Sequence, residues 1–327
     1  MNAESRTRSF ASACFTFAIA AFASFSAAQT YPSKAVRIVV GFPAGGATDI
    51  VARAIAQNLN QAFNQPVLVD NRPGAASNIG ADHVAKSPAD GYTLLMGSIS
   101  LANNATLYSK LPYDALRDFA AVIHVTNTPF MLCMHPSVPV KSVKELVAFA
   151  KARPGQVQYG TAGSGSGAHL FTELFRSMVG IELQHIPYKG AAPATTDLLA
   201  GQVAFVFDNV IGMAPLHKSG KLRCLAVSSK TRSAIAPDIP TMQEAGIKGY
   251  EADAWFGLFA PTATPAAAIE RVNAEVNRAL KTPAIRQRLE ALGCEPAGGS
   301  AAQFATYFRA EIEKWGKVIR SAGVRLE

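Results

Sequence analysis

Val39-Val40-Gly41-Phe42-Pro43-Ala44-Gly45-Gly46-Ala47-Thr48-Asp49 reads as the end of a β-strand, a glycine turn and the start of a helix. The strand is the β-branched run Val36 to Val40. Beyond the turn, Ile50, Ala54, Ile55, Leu59 and Phe63 recur at helical spacing as one apolar stripe. Gln158-Tyr159-Gly160-Thr161-Ala162-Gly163-Ser164-Gly165-Ser166-Gly167 repeats the arrangement, with a strand at Val157 to Gly160 and a helix over 168–179. Glycine permits positive φ and close backbone approach. The first turn of a helix carries unpaired N–H groups and a partial positive charge. Each turn therefore suits a carboxylate or phosphate, and the pair predicts a ligand held between two lobes.

The strands and helices around these turns alternate. Val67 to Val69, a helix over 78–86 and Tyr92 to Met96 complete a first β-α-β-α-β unit. A second series follows with a strand at Phe130 to Met134. Next comes a helix at Lys141 to Ala152, with Val143, Leu146, Val147 and Ala150 on one face. After the second glycine turn come strands at Leu183 to Ile186 and Ala204 to Phe207, separated by a helix near 191–200, and then Leu222 to Val227. Trp255 to Ala260 is a further apolar strand. Two long helices end the chain, one marked by Ile269, Val272, Val276 and Leu280, the other by Phe304, Phe308, Ile312, Trp315 and Ile319. The pattern is that of an α/β protein with mixed or parallel sheets flanked by helices. A length of 327 residues points to two domains. A hydrophobic share of 49% excludes disorder and a disulfide miniprotein.

Arg6 and Arg8 precede the apolar run Phe10 to Phe25, and Ser26-Ala27-Ala28 supplies small residues, the pattern of a signal peptide cleaved after Ala28. Its removal takes away two Arg and one Glu, which lowers the formal charge from +8 to +7. No later segment is long and apolar enough to span a bilayer, so the mature chain is expected to be soluble. The surplus suits an anionic ligand, and a merely basic soluble protein is an equal reading. The cations are scattered rather than clustered with aromatics, which argues against nucleic acid. Cys133, Cys224 and Cys294 have wide spacing with no C-x-x-C pair, so no metal site is expected and they read as buried packing residues. Export allows one disulfide, but spacing does not choose the pair.

Enzyme readings find little support. Gly160 and Gly165 have phosphate-loop spacing, but Ser166 stands where the lysine must be. Gly163-x-Gly165-x-x-Ala168 matches a dinucleotide fingerprint only formally, and Glu182 falls near a strand's start rather than its end. No serine has glycine at both −2 and +2, and no catalytic triad or carboxylate pair stands out. The chain is read as no enzyme, without cofactor or metal. The alternative is an exported α/β enzyme that takes a nucleotide or phosphorylated substrate at the Gly160–Gly167 loop.

The Gly-Phe-Pro-Ala-Gly-Gly-x-x-Asp core of Val39 to Asp49, Val69-Asp70-Asn71-Arg72-Pro73-Gly74-Ala75, Asp90-Gly91-Tyr92-Thr93-Leu94-Leu95, Tyr159 to Ser166 and Pro187-Tyr188-Lys189-Gly190 together resemble one family. It is the substrate-binding component of tripartite tricarboxylate transporters, the Bug or TctC family, and the resemblance runs from about Tyr31 to the C-terminus. It implies a periplasmic "Venus flytrap", a two-lobed type II binding protein. Such a protein acts as a monomer that delivers a small carboxylate to membrane permease subunits. It also implies that the last two helices return to the first lobe, with crossovers near 127–130 and 252–256. After the signal peptide, 1–28, domain 1 is then 29–129 with 254–327, and domain 2 is 130–253. The family's ligand loops correspond to Phe42, Ala44, Gly45 and Gly46, and to Thr161, Ala162, Gly163 and Ser166, with Ser98 on the loop after the third strand. A dicarboxylate, an aromatic acid or an amino acid fits such a grip, and the lack of clustered Arg argues against citrate.

Several single residues have two readings. Asp49, in a first helical turn, caps backbone N–H groups or contacts a ligand ammonium. Phe42 covers the ligand or the core. His169 packs or assists the anion, although a charged imidazole there opposes the helix dipole. Lys189 is a solvated surface lysine or a cation for the ligand. Asp208, with Asn209, caps the next helix or enters the cleft, and Trp255 and Trp315 read as core.

Overall fold

Val36–Val40 (β1) is buried at every position but one, because it lies between two parallel neighbours rather than at an edge. Val67–Asn71 (β2) pairs on one side and Thr93–Ser98 (β3) on the other, so Ile38 sits between Val69 and Leu94. The computed structural model describes residues 31–323, and the compact unit begins at Lys34. The signal peptide expected over 1–28 lies outside the described residues.

Three helices accompany these strands: Ala47–Phe63 (α1), Asn78–Ala85 (α2) and Ile99–Leu107 (α3). Phe119–Met134 (β4) then leads into Val143–Lys151 (α4), Gln158–Thr161 (β5), Gly167–Val179 (α5) and Gln184–Pro187 (β6). Ala191–Leu199 (α6), Phe205–Asn209 (β7), Val210–Lys218 (α7) and Arg223–Val227 (β8) follow. The chain ends with Asp253–Pro261 (β9), Ala266–Lys281 (α8), Pro283–Ala291 (α9), Glu295–Pro296 (β10) and Ala301–Ala322 (α10).

The strand order is β2-β1-β3-β9-β4-β7-β5-β6, with β8 and β10 also on β4. Up to Pro129, β4 pairs antiparallel with β9; from Phe130 it pairs antiparallel with β7 and β8. One 16-residue strand thus serves two α/β layers. The first carries parallel β1, β2 and β3, the second parallel β5, β6 and β7. This is a two-lobed α/β fold. No described helix is long and apolar enough to cross a membrane.

Helix α10 closes the core. Trp255 and Trp315 are fully buried, and both indole N–H groups donate to Glu311 Oε2, at 3.1 and 3.0 Å. Trp315 stacks on Phe171 of α5 with centroids 5.1 Å apart. Ser300 and Gln303 form a capping box at the start of α10, which satisfies two otherwise unpaired amides.

Four local expectations need correction. The strand predicted at Phe130 begins at Phe119, because the stretch from Phe119 to Pro129 pairs with β9. Ser98 does not sit on a loop: it ends β3 and caps the unexpected helix α3. Three helices, not two, follow β9, with Thr282-Pro283 starting the extra one. Cys133 and Cys224 are disulfide-bonded rather than merely packed, because antiparallel β4–β8 register sets them opposite each other. Cys294 stays free and buried, and desolvation pushes its thiol up to about 11.

Candidate functional site

The turn after β1 is shaped from behind by Asp49. Its Oδ2 accepts from the Gly45 amide and from Arg53 Nε, both at 2.9 Å, and its Oδ1 accepts from Asn71 Nδ2 at 3.0 Å. The same Asn71 amide donates to the Phe42 carbonyl. Burial alone would raise the Asp49 pKa, but the bonds from Arg53, Gly45 and Asn71 outweigh it and hold the carboxyl below its usual range. Gly45 has φ +83°, which a side chain rarely adopts. The N-cap of α1 is Gly46, with no side-chain cap, so the first-turn amides are free for another acceptor.

The turn after β5 has its own scaffold. Thr161 Oγ1 lies 2.7 Å from His185 Nε2 and accepts from the Gly163 amide at 3.2 Å. The Gly165 amide donates to His169 Nδ1 at 3.2 Å, which makes that nitrogen an unprotonated acceptor. His169 and His185 stack 4.2 Å apart. Desolvation, then nearby Arg176, lowers His169 to about 4; desolvation and its neighbour His169 lower His185 to about 3. Both rings are neutral supports, not charges offered to an anion. Across the cleft, Asn103 Nδ2 of α3 donates to the Gly165 carbonyl at 3.2 Å. A β-carbon at Gly190 would stand 2.8 Å from Pro43 Cδ, so the two lobes meet closely there also.

Between the turns lies a cavity of about 300 Å³. Of the residues singled out from sequence, Phe42, Gly45, Gly46, Ser98, Ala162, Ser166 and Asp208 line it. Ala44, Asp49, Thr161, Gly163, His169 and Lys189 do not. Gly163 and exposed Lys189 instead border a second pocket of about 280 Å³. Asp208 is no helix cap: its Oδ1 accepts from the Asn209 amide at 2.7 Å, and the N-cap Asn209 makes no side-chain cap bond.

The structure adds contributors that sequence reasoning missed. The first residues of α6 (Ala191, Ala192) and of α7 (Ile211, Gly212) also reach the wall, as do Phe130 and Phe256. Five helices therefore begin at this cavity: α1, α3, α5, α6 and α7. Ser98 Oγ and Ser166 Oγ cap α3 and α5, whereas α1, α6 and α7 have no side-chain cap. Each terminus carries about half a positive charge. The rest of the wall is mostly apolar. Asp208 is the one ionisable side chain among the described residues that line it, and no described group of His, Cys, Asp and Glu could hold a metal. The arrangement can hold a small anion with an apolar body.

Residues 51–324 match the model of the family described as tripartite tricarboxylate transporter family receptor. Protein BugT of Bordetella pertussis is 40% identical over 312 residues, covering 95% of this chain and 96% of BugT. The solved structure of Rpa4515 from R. palustris with adipate is similar at a TM-score of 0.88 and 39% identity, over 90% of this chain and 99% of that one. MatC from Rhodopseudomonas palustris, with bound malate, is similar at a TM-score of 0.84 and 31% identity, over 88% and 100%.

Proposed function

This chain belongs to the tripartite tricarboxylate transporter receptor family, the solute-binding proteins also called Bug or TctC, and on that premise we propose that it captures a small organic carboxylate in the periplasm. Its lobes, 29–129 with 254–327 and 130–253, close on the ligand, which then passes to the permease subunits of a tripartite transporter. The switch of β4 from β9 to β7 and β8 at Pro129–Phe130 supports that division. No chemical step belongs to this reading.

The observation that carries it is the convergence of uncapped helix N-termini from both lobes on one cavity. Backbone amides and dipole ends there take one carboxylate without any lysine or arginine. Closure is stabilised by the ligand because both sides touch it only when shut. A volume of about 300 Å³ lies at the small end of ligand sites. Adipate and malate, bound by the two relatives, are the first probes for this chain. Micromolar affinity corresponds to about −8 kcal/mol. The test is thermal shift and calorimetric titration, after removal of co-purified ligand, against mono- and dicarboxylates, aromatic acids and amino acids. Binding of at least one with micromolar affinity and no product by mass spectrometry is expected. No stabilisation by any carboxylate, or turnover of one, overturns the reading.

A further inference from the structure

Asp208 is out of place in a cavity built for an anion. Its register places it beside Met131 of β4, at the end of β7 next to the turn that follows β5. It is 7% exposed and lines the cavity. Its Oδ1 accepts from the Asn209 amide, and the only other group that bonds the carboxyl among the described residues is the neutral Asn209 side chain. The neighbouring elements offer no counter-charge. Strand β4 presents Phe130 and Met131, the turn after β5 presents Ala162, and α5 presents Ser166, Gly167 and Ala168. Helices α1, α3, α6 and α7 present only neutral residues to the cavity. His169, one turn inside α5, is neutral and accepts from Gly165. Burial is the leading influence on the Asp208 carboxyl and lifts it to about 6, against the opposing hydrogen bonds from Asn209.

An ionised Asp208 and a bound carboxylate would compete for the same helix ends inside one small apolar chamber. Two carboxylates in such proximity do not both stay charged; one acquires a proton. We infer that Asp208 meets the ligand as a neutral carboxylic acid, donating from Oδ2 to an anionic oxygen, so that the cleft captures an organic anion together with one proton. The proton comes from solvent and stays on Oδ2 while the complex lasts. Asp208 thereby selects ligands whose second end is a hydrogen-bond acceptor, such as another carboxylate, over those ending in an ammonium. This rests on the carboxylate-binding reading above.

The sign of the pH effect follows from linkage. The bound state holds the proton more tightly than the free state, so affinity is full below the free pKa near 6 and falls as pH rises above it. At pH 7 the free group is about one-tenth protonated, so binding takes up about 0.9 proton, and Kd rises about 50-fold between pH 6 and pH 8.

Calorimetric titration of the wild-type protein with adipate, malate and glutamate, at pH 7 in buffers of differing ionisation enthalpy, reads the proton number directly. Uptake close to one proton is expected with adipate or malate. In Asp208→Asn, an amide donor is present at every pH. That variant should show no uptake, a flat pH profile, and binding at pH 8 about tenfold or more tighter than wild type. Binding without proton uptake overturns the inference while leaving carboxylate capture intact. So does a preference for glutamate that Asp208→Asn abolishes, because Asp208 would then act as an anion facing an ammonium. Failure of every carboxylate to bind overturns both readings. If Asp208→Asn does not fold, the wild-type proton number decides alone.

Discussion

Replacing Gly163 with valine tests whether the second turn shapes the grip. Gly163 has φ +124°, and a β-carbon there would lie 3.2 Å from the Tyr188 carbonyl oxygen. Holding a side chain in such a backbone region costs about 1–3 kcal/mol. Relief comes by rotating the turn, which carries Ala162 and the start of α5 away from their places in the cavity wall. Set against a domain stability of about 5–15 kcal/mol, the loss leaves the chain folded. If the closed form must supply that energy whenever it grips, Kd rises about 5- to 150-fold. The assay is calorimetric titration of both proteins with the tightest carboxylate of the panel, alongside urea unfolding. Gly155→Ala is the control, since Gly155 has φ +69°, no atom within 4 Å of the added carbon, and a place in the loop between α4 and β5. It should lose stability and keep its affinity. Wild-type affinity in Gly163→Val, with the fold intact, would refute the role of this turn.

Three further outcomes are expected. Glu311→Ala leaves two buried indole N–H groups without an acceptor, so urea unfolding should show a loss of roughly 2–6 kcal/mol. Reducing the Cys133–Cys224 bond, which closes a separation of 91 residues, should lower the urea midpoint by about 2–4 kcal/mol of stability; an unchanged midpoint under reductant counts against the pairing. His169 titrates near 4 in the folded chain, below the ordinary 6.5, so its unfolded form takes the proton first. Stability is then complete above pH 6.5 and declines as pH falls towards 4. The loss for this residue is about 3 kcal/mol, and His169→Gln should flatten that part of a stability–pH profile.

Much of the fold was legible because its signals are local. Four apolar residues and the exposed Arg37 at Val36 to Val40, followed by glycine and a stripe from Ile50 to Phe63, read as strand, turn and helix. Helix α3 escaped because Ser100, Asn103 and Asn104 interrupt its apolar pattern. Asn103 and Asn104 are buried polar groups whose partners, Gly165, Ala76 and Asn78, are distant in sequence. In Pro187-Tyr188-Lys189-Gly190 the lysine drew notice as a charge. Yet Lys189 is exposed, whereas Gly190 lets the start of α6 approach Pro43. Asp49 stands in a first helical turn, yet it bonds the Gly45 amide ahead of the helix, and its bond with Asn71 depends on Asn71 arriving from β2.

By itself, then, the sequence determined the order of strands and helices and the two glycine turns able to expose amides. Hydrophobic period and glycine's backbone freedom operate over a few neighbouring residues. That five helix ends share one cavity, that Cys133 faces Cys224, and that Asp208 is buried in the cavity wall depend on tertiary contacts. Strand register and desolvation arise from residues far apart along the chain, and no short window of sequence contains them.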